Sequence, residues 1–108
     1  MSEPRLKSQF RVAAQLRRAH AAGAFAVVAR RGDPDAGSIA VKVYLGKRQA
    51  RLYVEARDEA GNPVWREPFD CAADEARIDA YLDKERRFDS DLWIVEIEDR
   101  EGRGFLEE

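Results

Sequence analysis

Apolar residues recur along this chain with two different periods, and the switches between them mark out its elements. From position 8 to about 22 the spacing is helical. Phe10, Val12, Ala13, Leu16 and Ala19 fall on one broad arc, with Arg11, Gln15 and Arg18 opposite. Ser8 stands where an N-cap belongs and Gly23 where a helix stops. Phe25–Arg30 is a nearly continuous apolar run, the pattern of a central strand. Residues 38–45 then alternate, placing Ile39, Val41, Val43 and Leu45 inward and Ala40, Lys42 and Tyr44 outward. After a turn at Gly46-Lys47-Arg48, Leu52, Val54 and Ala56 continue the inward face and leave Arg51, Tyr53 and Glu55 outside, which predicts a hairpin.

Residues 64–69 read as a peripheral strand, since Pro63 and Pro68 suit an edge. A second helix is predicted from Ala73 or Asp74 to about Arg87. Asp74 and Glu75 sit at its positive end, and Ile78, Tyr81, Leu82 and Phe88 lie along one side. Asp89-Ser90-Asp91 breaks it. The last strand covers residues 92–98, with Trp93, Val95 and Ile97 on one face. The charged, glycine-bearing tail over 99–108 carries Phe105 and Leu106, which can fold back. The order α-β-β-β-(β)-α-β predicts an α+β fold, a small antiparallel or mixed sheet of four to five strands with two helices on one face. At 108 residues, 1–108 is a single domain.

Composition adds little to that outline, but charge does. Charged residues make up 37% of the chain beside 44% hydrophobic ones, which fits a solvated surface with ion pairs rather than disorder. The net charge of −2 hides a division. Residues 1–57 hold 12 Lys and Arg against 4 Asp and Glu, a surplus of +8, and residues 58–108 hold 7 against 17, a surplus of −10. The plainest account is that the two halves meet in space and neutralise one another. Cys71 is the only cysteine, so no intramolecular disulfide forms. The opening MSEPRLKSQF lacks a signal-peptide core, and no run approaches membrane-span length. The expectation is a cytoplasmic protein without membrane association.

No catalytic constellation stands out. His20, the only histidine, sits in the last turn of the first helix, where bonding a backbone carbonyl is its expected role. Cys71 precedes the second helix among Phe69, Ala72 and Ala73 and reads as a small core residue. Glu85 falls inside the apolar arc of the second helix and calls for a partner, with Arg17 or Arg30 as candidates. The carboxylates of residues 89–101 match no metal-binding spacing, so neither metal nor cofactor is expected. Lys42, Tyr44, Arg51 and Tyr53, read as one outer hairpin face, interleave rings and cations as a single-stranded nucleic-acid platform does, although the pI of about 5.5 argues against one.

The segments Gly23-Ala24-Phe25-Ala26-Val27-Val28, Arg30-Arg31-Gly32-Asp33 and Asp35-Ala36-Gly37 resemble a bacterial family known as domain of unknown function 1491. So do Arg87-Phe88-Asp89, Asp91, Trp93, Glu96, Glu98-Asp99-Arg100 and Phe105-Leu106. The resemblance implies a bacterial single-domain protein and supplies no catalytic residue. It draws attention to a polar group formed by Arg30, Arg31, Asp33, Asp35, Glu96, Glu98 and Arg100. If the last strand pairs with the first, those arginines approach Glu96 or Glu98, as a structural lock or as a ligand pocket. The leading functional expectation is a non-enzymatic binding or adaptor domain for another protein, including a second copy of itself, through the hairpin or the Trp65 edge. Nucleic-acid binding by the hairpin face and an enzymatic or ligand site at the arginine turn are the alternatives.

Overall fold

The computed structural model describes residues 6–107; the opening MSEPR, part of the leader expectation, and Glu108, the end of the charged tail, lie outside them. The elements are α1 (Ser8–Ala21), β1 (Phe25–Arg30), β2 (Ile39–Gly46), β3 (Gln49–Arg57), β4 (Pro63–Arg66), β5 (Ala73–Asp74), α2 (Glu75–Phe88) and β6 (Trp93–Glu98). They form an α+β fold around one six-stranded sheet, ordered β1-β6-β2-β3-β4, with β5 beside β3. All neighbours are antiparallel except β2 and β6. Among the described residues, no helix is long and apolar enough to cross a membrane.

Both faces of the sheet are covered, not one as the alternation predicts. α1 and the folded-back tail, with Phe105 and Leu106, pack on Ile39, Val41, Val43, Trp93, Val95 and Ile97. α2 packs on Ala40, Ala50, Leu52 and Ile94 through Ile78 and Leu82. The central strands are β2 and β6, whereas β1 is an edge with Phe25 60% exposed. An apolar run does not by itself say which neighbours a strand has, and here β6 enters between β1 and β2.

The hairpin register also departs from expectation. Lys47 and Arg48 form a two-residue turn with φ of 55° and 62°, the primed geometry that matches strand twist. Gly46 pairs with Gln49 but Tyr44 pairs with Ala50, so Leu45 is an extra, bulged residue. One extra residue exchanges the faces of everything beyond it. Leu52 and Val54 therefore lie under α2, and Arg51 and Tyr53 face the α1 side.

On α1 the inner face is Ser8, Arg11, Val12, Gln15 and Ala19, while Phe10 and Arg17 are exposed. Val12, Leu16 and Ala19 keep the inward place expected of them, but Phe10 turns out while Arg11 and Gln15 turn in, because the tail and β3 offer polar partners. Arg11 bonds Glu55 through Nη1 at 3.2 Å and Nη2 at 2.7 Å and also meets Glu107, and Gln15 Nε2 donates to Gly104 O at 2.7 Å. Ser8 is the first helical residue rather than the cap, and its Oγ donates to Gly37 O at 2.6 Å.

The loop over 31–38 must bridge the start of β6 to connect β1 with β2. It does so in contact: Asp33 N donates to Asp91 O at 3.0 Å, Trp93 N to Ser38 O at 2.8 Å, and Trp93 Nε1 to Asp33 O at 2.7 Å. A Cβ on Gly32 would meet Leu92 C and Trp93 Cδ1 at 2.7 Å and press on Asp91 O; one on Gly37 would strike the same carbonyl. Gly32→Ala and Gly37→Ala are each expected to cost about 2–4 kcal/mol, a drop of roughly 10 °C or more in Tm. Gly23→Ala, where φ is +85° but space is open, costs only about 1 kcal/mol. Thermal unfolding of the three variants checks the ranking.

Candidate functional site

On its face of the sheet α2 lies over β2 and β3 and stops short of β1. Cross-strand pairing orders that face into rows, Phe25–Glu98–Tyr44, Val27–Glu96–Lys42 and Arg30–Ile94–Ala40. Between helix and edge strand runs a groove in two stretches. One, of about 80 Å³, is lined by Phe25, Val27, Lys42, Tyr44, Glu75, Glu96 and Glu98. The other, of about 300 Å³, is lined by Arg30, Asp79, Leu82, Asp83, Arg86, Ile94 and Glu96.

Lys42 is the electrostatic centre of the groove. It is 5% exposed, and its Nζ lies 2.7 Å from Asp79 Oδ1, 2.8 Å from Glu75 Oε2 and 3.8 Å from Glu96 Oε1. Burial alone would depress the amine, but hydrogen bonds to Asp79 and Glu75 outweigh it and hold the pKa above the ordinary 10.5. The amine is thus a fixed cation, the reverse of what a nucleophilic lysine needs. Arg30 donates to the carbonyls of Leu92 and Ser90, and Arg86 is 3.7 Å from Asp83. Glu75, Asp79, Asp83, Glu96 and Glu98 outnumber the three cations Lys42, Arg30 and Arg86, so the groove is net negative.

Among the described residues β1 pairs with no strand but β6, so its other side has no strand partner, and His20 Nε2 lies 3.1 Å from Ala26 O. Val27 and Val28 are 37% and 39% exposed there, on opposite faces of the strand. On the far side of the sheet a larger cleft, about 370 Å³, opens between Ser8, the 35–38 segment and β3. Its deepest charge, Arg11, is already engaged by Glu55 and Glu107.

Of the polar group read from the sequence, Arg30, Glu96 and Glu98 share the groove face, but no arginine–carboxylate network forms. The antiparallel register sets Arg30 opposite Ile94 and leaves Glu96 and Glu98 opposite Val27 and Phe25. Arg31 stacks on Trp93 at 5.5 Å, and Asp33 Oδ2 accepts from Asp35 N and Ala36 N. Asp35 lies 3.6 Å from Lys7, and Arg100 is exposed beyond β6. The four hairpin residues divide. Lys42 and Tyr44 face the groove. Arg51 is bidentate to Glu67 and stacked on Tyr53, whose hydroxyl donates to Gly102 O at 3.0 Å beneath the tail.

His20 Nε2 lies 3.1 Å from Ala26 O, the role expected of it. Cys71 is exposed, not in the core. Arg17 cannot reach Glu85, because α1 and α2 occupy opposite faces. Sequence reasoning missed Phe25, Val27, Glu75 and Asp79 as site residues. The one available signal was Glu75 and Asp79, a helical turn apart at the start of α2.

The family model described as a protein of unknown function (DUF1491) matches residues 6–107. A crystal structure of a DUF1491 family protein from Caulobacter crescentus CB15 is 45% identical, with TM-score 0.88 over 96% of this chain and 97% of that one. An NMR structure of a DUF1491 family protein from that organism is 44% identical, with TM-score 0.86 over 98% and 96%. The solution structure of protein Atu0922 from A. tumefaciens is 37% identical, with TM-score 0.80 over 95% and 93%. No curated protein matches the chain.

Removing the Lys42 charge leaves three carboxylates facing one another. Lys42→Met is expected to lose about 2 kcal/mol at pH 7. Because the folded pKa is raised, the stabilisation by Lys42 is complete below pH 10.5 and is lost as pH climbs through the folded value. The gap between wild type and variant therefore closes in alkali, and denaturant titrations at pH 7 and pH 11 measure it.

Proposed function

We propose that the chain, which belongs to the DUF1491 family of proteins of unknown function, is a protein-binding domain that takes up an extended segment of another protein along β1. The free edge of β1 carries this reading. Natural sheets blunt their edges with prolines, lysines, bulges or shortness. β4, at the opposite edge, is four residues long and opens on Pro63. β1 is six residues long with neither proline nor lysine. Its blunting features are the His20 ring near Ala26 O and the register shift between Val28 and Arg30, which leave residues 25–28 regular, with Ala26 buried and Phe25, Val27 and Val28 exposed.

A segment added there satisfies the open backbone groups of β1, and its alternate side chains fall into the groove. The exposed free thiol of Cys71 suits the cytoplasm as the place of action. A nucleic-acid reading has less support, since phosphates meet a net negative groove.

Peptides recovered from a random ten-residue display library on the full chain test the proposal. They are expected to slow amide exchange in β1 and to bind Val28→Lys at least tenfold more weakly. That substitution, on an exposed edge, changes stability by only about 0.5 kcal/mol. Peptides that protect no β1 amide, or that ignore Val28→Lys, overturn it.

A further inference from the structure

Resting on that reading, we infer that the segment taken up along β1 is basic and amphipathic, with Lys or Arg at alternate positions and apolar residues between them. The rows of the sheet dictate this pattern. On the α2 face, a strand beside β1 meets Val27 and Phe25 first, then Glu96 and Glu98. Neighbouring strands lie about 4.8 Å apart, so these carboxylates stand about 10 Å from the incoming backbone. A long cationic side chain spans that gap with its methylenes over Val27 and Phe25 and its head at the carboxylates. Short side chains fall short, and acidic ones are repelled.

The protein's own cations leave these carboxylates only partly neutralised. Lys42 is drawn to Glu75 and Asp79, and is 3.8 Å from Glu96. Arg30 is held by backbone carbonyls. Among the described residues Glu98 forms no ion pair. On the α1 face the corresponding rows are Ala26–Ile97–Val43 and Val28–Val95–Val41, without a charge. The incoming strand therefore meets acid on one face and hydrocarbon on the other.

A second copy of β1 does not meet this pattern. Its sequence, FAVVAR, has apolar residues on both faces and its only charge at the far end. The occupant that fits is a segment of a different protein.

The library described above also tests this inference. Recovered peptides are expected to carry Lys or Arg at every second position with Val, Ile, Leu or Phe between. Their affinity should fall tenfold or more between 50 and 300 mM salt, roughly the slope for a few released ions. The same selection on Glu98→Lys should lose the cation nearest that residue. Peptides that protect β1 but are neutral or acidic, or whose consensus ignores Glu98→Lys, overturn the basic pattern and leave strand addition standing. A library with no member that protects β1 overturns both, and a light-scattering dimer abolished by Val28→Lys assigns the edge to a second copy instead.

Discussion

The carbonyl of Asp91, wedged against Gly32 and Gly37 where the β1–β2 connection passes the root of β6, is the contact from which the rest of the molecule is built. β6 must lie between β1 and β2, so the chain joining those strands has to cross it without room for side chains. The same loop fixes α1. Asp35 O and Pro34 O accept from the first helical amides, those of Ser8 at 3.2 Å and Gln9 at 2.9 Å, and so cap a helix that has no side-chain cap of its own. α1 in turn holds the tail, through Gln15 on Gly104 O and Arg18 on Phe105 O. Strand insertion, helix start and tail docking thus form one dependent series.

Buried charge follows the same economy. Among the described residues Arg11 and Lys42 are the two cations withdrawn from water, and each has more than one carboxylate. A buried cation with one partner removed is strongly destabilising, so extra partners protect the fold against any single loss. Arg11 reaches Glu107 and Lys42 reaches Glu75, Asp79 and Glu96, all in the acidic half of the chain. The opposed halves do neutralise each other, through these two residues and the Arg51–Glu67 pair rather than through the arginine turn.

Element positions were legible in the sequence because period and punctuation are local properties. β1 spans the predicted residues, and the pairing of β6 with β1, the fold class and the docking of Phe105 and Leu106 agree. What was not legible depended on distant partners. The bulge at Leu45 has no composition signal, yet it decides which face Arg51 occupies. The burial of Arg11 and Gln15 follows from a tail nearly ninety or more positions later, as their separations of 96 and 89 residues record. The groove escaped for a related reason: its helix wall, α2, and its edge strand, β1, lie more than forty positions apart in the chain.

Why the groove exists follows from widths. A helix with its side chains is about 10 Å across and covers about two strands. A sheet five strands wide with one helix on each face therefore keeps an uncovered strip on both sides. On the α1 face the tail lies across that strip, its Gly102 and Gly104 set against Arg51 and Tyr53 of β3. On the α2 face the helix cannot shift toward β1 to close the gap. Lys42 pins Glu75 and Asp79 over β2, and Ile78 and Leu82 are sunk in the cluster with Leu52 and Ile94. The strip over β1 is accordingly held open by the interactions that seat α2. An open groove next to a strand edge is the arrangement that the proposed strand addition needs, since no described segment has to be displaced before a peptide binds.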